Sequence, residues 1–213
     1  MAIEEPAYTT IATEGDFEIR AYAPVLVAET WAEGDMDEAS SKGFRLIADY
    51  IFGNNLSDNV AGTAKIAMTA PVTVQPTSSK IAMTAPVTVA PTTQGVDMQS
   101  AKAWRIQFVM PSQYTMATIP KPKNPAVTLR EMPSKYVVVL TYSGFNFLSR
   151  VQTKTDETTA WVQANGLTAV GLPQLARYNP PWTLPMFRRN EIMLEIAQPP
   201  ASTAPPKTVA KPT

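Results

Sequence analysis

Two stretches of the chain echo each other at a separation of 110 residues: Ile19-Arg20 recurs as Leu129-Arg130, Val27-Ala28 as Val137-Val138, and Gly34 as Gly144. In each stretch two runs rich in β-branched and aromatic residues lead to the glycine. Phe17 to Tyr22 and Val25 to Trp31 are the first pair, Val127 to Met132 and Tyr136 to Tyr142 the second. Such runs read as strands, and a helical pattern follows each glycine. A repeat of this length restricts the chain to architectures assembled from two similar halves, about 7–110 and 111–198, within one domain over 1–198.

The first helix is predicted to start after Gly34, with Asp35 as N-cap and Glu38 three residues on, a capping-box spacing. Ala39, Phe44, Ile47, Ala48 and Ile51 give it an apolar stripe, and Gly53 stands where a helix ending near Phe52 places its C′ glycine. The acids Asp35, Asp37 and Glu38 are accounted for by capping and the helix dipole, without any chemistry. The second helix is expected from about Asn146 to Asn165, ahead of Gly166, with a threonine-rich middle that lowers its propensity. Strands follow at Leu175 to Tyr178 and Arg188 to Ile196, the latter pointing Ile192, Leu194 and Ile196 inward. Two such halves related by a pseudo-twofold axis would pair their sheets antiparallel and leave both helices outside, an α+β barrel-like domain.

A second repeat is local. Lys65-Ile-Ala-Met-Thr-Ala-Pro-Val-Thr-Val recurs from Lys80, with both copies lying within 65–92. Period-2 alternation puts Ile66, Met68, Ala70, Val72 and Val74 on one side, so each copy reads as a core-facing strand. Pro71 and Pro86 lack an N–H and favour an edge or bulge, and Gln75 to Ser79 would turn the chain into a hairpin. The segment 199–213 holds Pro, Ala, Thr and Lys without aromatics, which predicts a disordered tail.

Composition removes whole classes of function. There is no cysteine and no histidine among the 213 residues. Disulfides, thiolate chemistry, serine–histidine triads, conventional zinc sites and proximal-histidine haem ligation are thereby excluded. The 18 basic residues balance 18 acidic ones, so no electrostatic case exists for nucleic acid. No basic n-region leads an apolar run at the amino end, and no apolar stretch reaches the ~18 residues of a membrane span. A soluble, cytoplasmic protein is the expectation.

Four segments then carry a resemblance. Lys65-Ile-Ala-Met-Thr-Ala-Pro-Val72, Trp104-Arg-Ile-Gln-Phe-Val-Met-Pro111, Ile119-Pro-Lys-Pro-Lys-Asn-Pro125, and Leu175-Ala-Arg-Tyr-Asn-Pro-Pro-Trp-Thr-Leu-Pro185 with Arg188-Arg-Asn-Glu191 occur in the order found in the SOUL haem-binding protein family. The resemblance runs from about Pro6 to Gln198. It implies a distorted eight-stranded antiparallel β-barrel made of two βαββ halves with two long flanking helices. It also implies binding of haem or a related tetrapyrrole in an exposed apolar groove, beside the first helix and the loop joining the last strands, with basic side chains near the propionates. By position that groove takes Phe44, Ile47 and Ile51 of the first helix, Lys65 and Met68 or their copies Lys80 and Met83, and Arg177, Tyr178 and Trp182 of the late loop. Lacking histidine, the chain would hold the porphyrin without a strong bond to iron.

Several residues keep two readings. Met68 and Met83 are contacts to a porphyrin or fillers of irregular core space; Lys65 and Lys80 pair with propionates or guard a strand edge. Arg189 and Glu191, at i and i+2 of one strand, are expected to pair in solvent. Trp104 and Trp161 are assigned to packing. Two other functional classes stand beside a noncatalytic tetrapyrrole carrier: a small-molecule effector module like those of multidrug-responsive regulators, which would want a buried carboxylate for a cationic ligand, and a tetrapyrrole-modifying enzyme relying on Tyr, Lys or carboxylates.

Overall fold

In the computed structural model, residues 4–56, 64–76, 98, 101–180, 182–197 and 199 are described. The chain opens with strands β1 (Tyr8–Glu14), β2 (Phe17–Tyr22) and β3 (Val25–Glu33), then helix α1 (Met36–Ile51). Strands β4 (Asn55–Leu56), β5 (Val72–Pro76), β6 (Ala103–Val109), β7 (Lys121–Pro122), β8 (Thr128–Met132) and β9 (Lys135–Tyr142) lead to helix α2 (Leu148–Ala164). Strands β10 (Gln174–Arg177) and β11 (Asn190–Ile196) complete it, with a single 3-10 turn at Pro185–Phe187 between them.

Nine strands form one antiparallel sheet in the order β1-β2-β9-β11-β10-β5-β6-β3-β8, and β4 pairs separately with β7. The sheet curls into a half-barrel of nine strands among the described residues, where a distorted eight-stranded barrel was expected. No ladder joins β1 to β8 among the described residues, and β8 pairs with β3 only as far as Glu29 opposite Thr128. Exchanging β2 with β8, β3 with β9, β5 with β10 and β6 with β11 returns the order of the eight strands other than β1 read backwards. β1 is the addition that breaks the correspondence.

Alternation along each strand separates two faces. Leu26, Ala28, Ile106, Phe108, Val74, Leu175, Ile192 and Leu140 share a core with Ile47 and Ile51 of α1 and Val151 of α2, so both helices cover the same, outer face. The inner face is closed by the curl of the sheet itself. Tyr22, Val137, Val139, Ala176 and Met193 bury one another there with no helix above them.

The helices form where their signals stand. The Asp35 carboxylate accepts from the Glu38 N–H at 2.8 Å, and Gly53 follows the last turn at φ +127°. In α2 the hydroxyls of Thr153, Thr158 and Thr159 donate to the carbonyls four residues back, at 2.8–3.0 Å, which satisfies them within the helix. The repeated glycines share one arrangement. Gly34 N–H donates to Lys102 O at 3.0 Å and Gly144 N–H to Pro185 O at 2.9 Å; each glycine carbonyl accepts from a side chain opening the strand beyond, Trp104 Nε1 and Asn190 Nδ2, both at 3.1 Å.

Three expectations change. Lys65 to Thr69 form no ladder: the Ile66 N–H donates to Ile51 O at 2.8 Å, and the strand starts at Val72. Pro71 stands just ahead of a strand held between β10 and β6 in the sheet interior, not at an edge; Gln75 and Pro76 end that strand, and the rest of the expected turn lies outside the described residues. Arg189 and Glu191 do not pair in solvent, because the inner face on which they lie is closed and Glu191 is wholly buried. The second copy with Lys80 and Met83, and the tail beyond Pro199, lie outside the described residues.

Candidate functional site

One transverse row crosses the outer face. Through the ladders Tyr142 stands opposite Asn190, Asn190 opposite Arg177, Arg177 opposite Val72, Val72 opposite Phe108, and Phe108 opposite Ala28. α1 lies over the Ala28 end, and Phe44 on its flank meets the Phe108 ring at 5.4 Å between centroids. Met68 packs, half-buried, against the same core. Arg177 donates to Asp37 Oδ1 at 3.3 Å in the first turn of α1, while its Nε is buried without a hydrogen-bond partner among the described residues. Phe44, Met68 and Arg177 thus lie towards one flank of α1, with Arg177 tied to its first turn and Phe44 two turns on.

The other expected residues are spread. Ile47 and Ile51 are 0% and 1% exposed and belong to the core, so they support the flank from beneath and offer no surface. Lys65 is exposed beside the end of α1, next to the Ile66–Ile51 hydrogen bond. Trp182, at 82%, is the most exposed of the large apolar side chains. Tyr178 leaves the outer face altogether: its hydroxyl donates to Glu191 Oε2 at 2.5 Å and Arg189 lies over its ring, 3.8 Å from the centroid. Alternation alone turns Tyr178 away from its neighbour Arg177.

The opposite flank of α1 was not singled out from the sequence. Lys42, Arg45, Leu46 and Asp49 line a shallow groove of about 470 Å³ with Trp31 and Ala32, where β3 runs beyond the end of β8. The spacing i, i+3, i+4, i+7 was there to be read as one helical stripe. The exposed Trp31, standing on a strand end without an outer neighbour, was not.

The inner face carries charge instead of an apolar void. Glu191 accepts from Arg20 Nη1 at 3.1 Å, from Arg189 Nη2 at 2.8 Å and from Tyr178. Arg189 reaches on to Glu5 at 3.0 Å, and Arg20 to Glu18 at 2.6 Å. Across the half-barrel Glu29 accepts from Gln107 at 2.7 Å and lies 4.0 Å from Arg105 and 3.8 Å from Arg130. Burial pushes the Tyr22 hydroxyl up to about 12, with Arg20 opposing, and pushes the Tyr178 hydroxyl up further, with the adjacent Glu191 adding to it. The Lys135 ammonium is held below its ordinary range by burial, partly offset by Glu195. The cavity left between Tyr22, Gln107, Lys135, Gln174 and Met193 is about 50 Å³. Small-molecule sites run to ~300–1,000 Å³, so a tetrapyrrole has no room in that cavity.

Among the described residues no three acidic side chains gather as a metal site, and no helix is long and apolar enough to cross a membrane. Among curated proteins none matches the chain in sequence. Of solved structures, the C-terminal domain of EcmrR is similar at TM-score 0.55 and 11% identity, covering 84% of this chain and 96% of that one. An uncharacterized conserved protein from Listeria innocua gives 0.57 and 13%, covering 87% and 94%, and a hydrolase from the same organism 0.52 and 13%, also covering 87% and 94%. At such identities these likenesses speak for the fold alone. The SOUL heme-binding protein family model matches residues 3–195, most of the 213-residue chain, and by that match the protein belongs to the SOUL haem-binding family.

Proposed function

We propose that the protein binds haem or a related tetrapyrrole as a noncatalytic carrier or buffer, on the flank of α1 that bears Phe44, Met68 and Arg177. Family membership supports the ligand class. The observation that carries the location is the hydrogen bond from Arg177 to Asp37 in the first turn of α1, on the helix face that also bears the exposed Phe44 two turns on. A porphyrin face would lie on Phe44 and Met68, and a propionate would pair with the Arg177 guanidinium, a charge-assisted bond of the stronger kind. Bound haem supplies a planar apolar ring and an iron; the side chains of this flank bind and orient the ring and shield one face from water. Trp182 on the late loop and Lys65 near the end of α1 are the outer contacts of this reading, with Lys80 and Met83 as the copies of Lys65 and Met68. Two βαββ halves, the reading favoured by the reversible strand order, would place this flank beside the axis relating them.

An effector module for cationic ligands fits less well. The buried carboxylates Glu29 and Glu191 are each already matched by two guanidinium groups, so neither is left to recognise a cation.

Titration with haemin and with iron-free protoporphyrin IX, following tryptophan emission and the Soret band, tests the reading. Saturable binding of both with little Soret displacement is expected, weakened severalfold by Arg177→Gln and by Phe44→Ser and unchanged by Arg45→Gln. Failure of both ligands to bind overturns the function. Loss through Arg45→Gln but not Arg177→Gln moves the ligand to the other flank of α1 and overturns the location.

A further inference from the structure

Six large apolar side chains stand exposed on two adjoining loops: Phe145 and Phe147 ahead of α2, and Trp182, Leu184, Met186 and Phe187 between β10 and β11, at 47% to 82% exposure. Single exposed apolar residues are ordinary, but a contiguous cluster of this kind marks an interaction surface. The loops are tied together. Besides the Gly144–Pro185 bond, Asn190 Nδ2 reaches Gly144 O and Asn146 Nδ2 reaches Asn190 Oδ1 at 2.6 Å. Phe145 and Phe147 stack at 5.3 Å, and the Arg188 guanidinium lies over Phe145 at 5.5 Å while donating from Nε to Thr183 O at 2.7 Å. The late loop is braced by its own turns, Thr183 N–H to Pro180 O and Phe187 N–H to Leu184 O. These side chains are therefore held outward on a fixed frame and do not fold back onto the sheet.

Charge selects the occupant. The chain as a whole is neutral, yet neither 143–155 nor 178–190 contains an acidic residue, while the two segments carry Arg150, Lys154, Arg188 and Arg189. Lys154 is paired with Glu157 at 2.6 Å and Arg189 with Glu191 and Glu5; Arg150 and Arg188 are the cations these segments add beside the apolar cluster. Exposed Trp, Phe, Leu and Met with arginines set behind them match the headgroup boundary of an anionic bilayer, where aromatic rings sit at the interface and cations face lipid phosphates. We propose that this double loop is a docking surface for an anionic lipid bilayer. The inference does not rest on tetrapyrrole binding, though it would bring the Arg177 flank, whose strand leads into the late loop, to the surface of the membrane.

The test uses the full chain without tetrapyrrole and vesicles of phosphatidylcholine with and without phosphatidylglycerol. Expected are co-sedimentation with the anionic vesicles, reduced by salt, and a blue shift of tryptophan emission that Trp182→Phe removes. Met186→Ser with Phe187→Ser, both solvent-facing, should lower partitioning about tenfold or more because apolar area buried at the interface sets the affinity. Phe52→Ser, equally exposed at the far end of α1, should leave it unchanged. Absence of binding to either vesicle, or binding indifferent to the double substitution, overturns the proposal. So does a wild-type dimer that becomes monomeric on the double substitution without any vesicle binding, which would make the surface a contact between copies. Because haemin is absent, failure here leaves the titration of the α1 flank standing, and failure there leaves this result standing.

Discussion

Glu191 is wholly buried, yet donors reach it from three directions: Arg20 across the sheet on β2, Arg189 two residues before it, and Tyr178 at the mouth of the late loop. A buried pair of this kind is worth little beside apolar packing, but removing one partner strands the others. Glu191→Ala is therefore expected to cost about 3–5 kcal/mol in urea unfolding, and Arg189→Ala clearly less, since that side chain is one-third exposed. Arg189 and Glu191 were visible as an i, i+2 pair; Arg20 lies 171 residues away, and nothing local announces it. The same burial gives a pH dependence. Tyr22, pushed up to about 12 by burial, stays protonated when folded while an unfolded tyrosine ionises near ~10. Its contribution is present below pH ~10 and is lost as pH rises towards 12, because the unfolded state then binds fewer protons than the folded one. Unfolding midpoints should fall between pH 10 and 11.5, and Tyr22→Phe should flatten that fall relative to its own value at pH 8.

At the scale of elements, both helices and most strands were legible because their signals are local: Asp35 with Glu38, the apolar stripe of α1, the alternation of Ile192, Leu194 and Ile196. Lys65 to Thr69 were misread for an equally physical reason. Ile66 and Met68 do point towards the core while Lys65 and Ala67 face out, but alternate burial needs no ladder, and the Ile66 N–H is spent on the last turn of α1. Gly43 shows how packing reverses a propensity. Within a helix, glycine to alanine gains up to ~1 kcal/mol, but a Cβ at Gly43 would stand 2.7–2.8 Å from Ile106 side-chain atoms beneath α1. Gly43→Ala is expected to destabilise by about 1–3 kcal/mol through overpacking, and Gly43→Ala with Ile106→Val to recover part of it. Thermal unfolding of the two variants decides; a more stable Gly43→Ala would mean that α1 can lift from β6 at no cost.

For the whole molecule, the separation of 110 residues suggested two halves, whereas the extent of the sheet depends on β1 and on how far β8 follows β3, lengths that no periodicity encodes. The proposed binding flank was half legible: motif residues such as Arg177 could be named, but which face Tyr178 takes and how deep Ile47 lies depend on curl and packing. The duplicated segment brings these scales together. Its first copy enters the sheet, with Val72 to Pro76 filling the place between β10 and β6, and the second lies outside the described residues. Removing 78–92 would leave that strand, Met98 and all of β6 intact and shorten the connection from 26 residues to 11. Loop-closure entropy changes slowly with length, so the gain is below about 1 kcal/mol. The deletion variant should unfold within about 1 kcal/mol of the full chain and bind haemin with the same affinity if Lys65 and Met68 are the copies that serve the site. A deletion that folds normally but loses haemin binding would assign the site to Lys80 and Met83. A deletion that fails to fold would show that the second copy supports the sheet in a way its first copy does not replace.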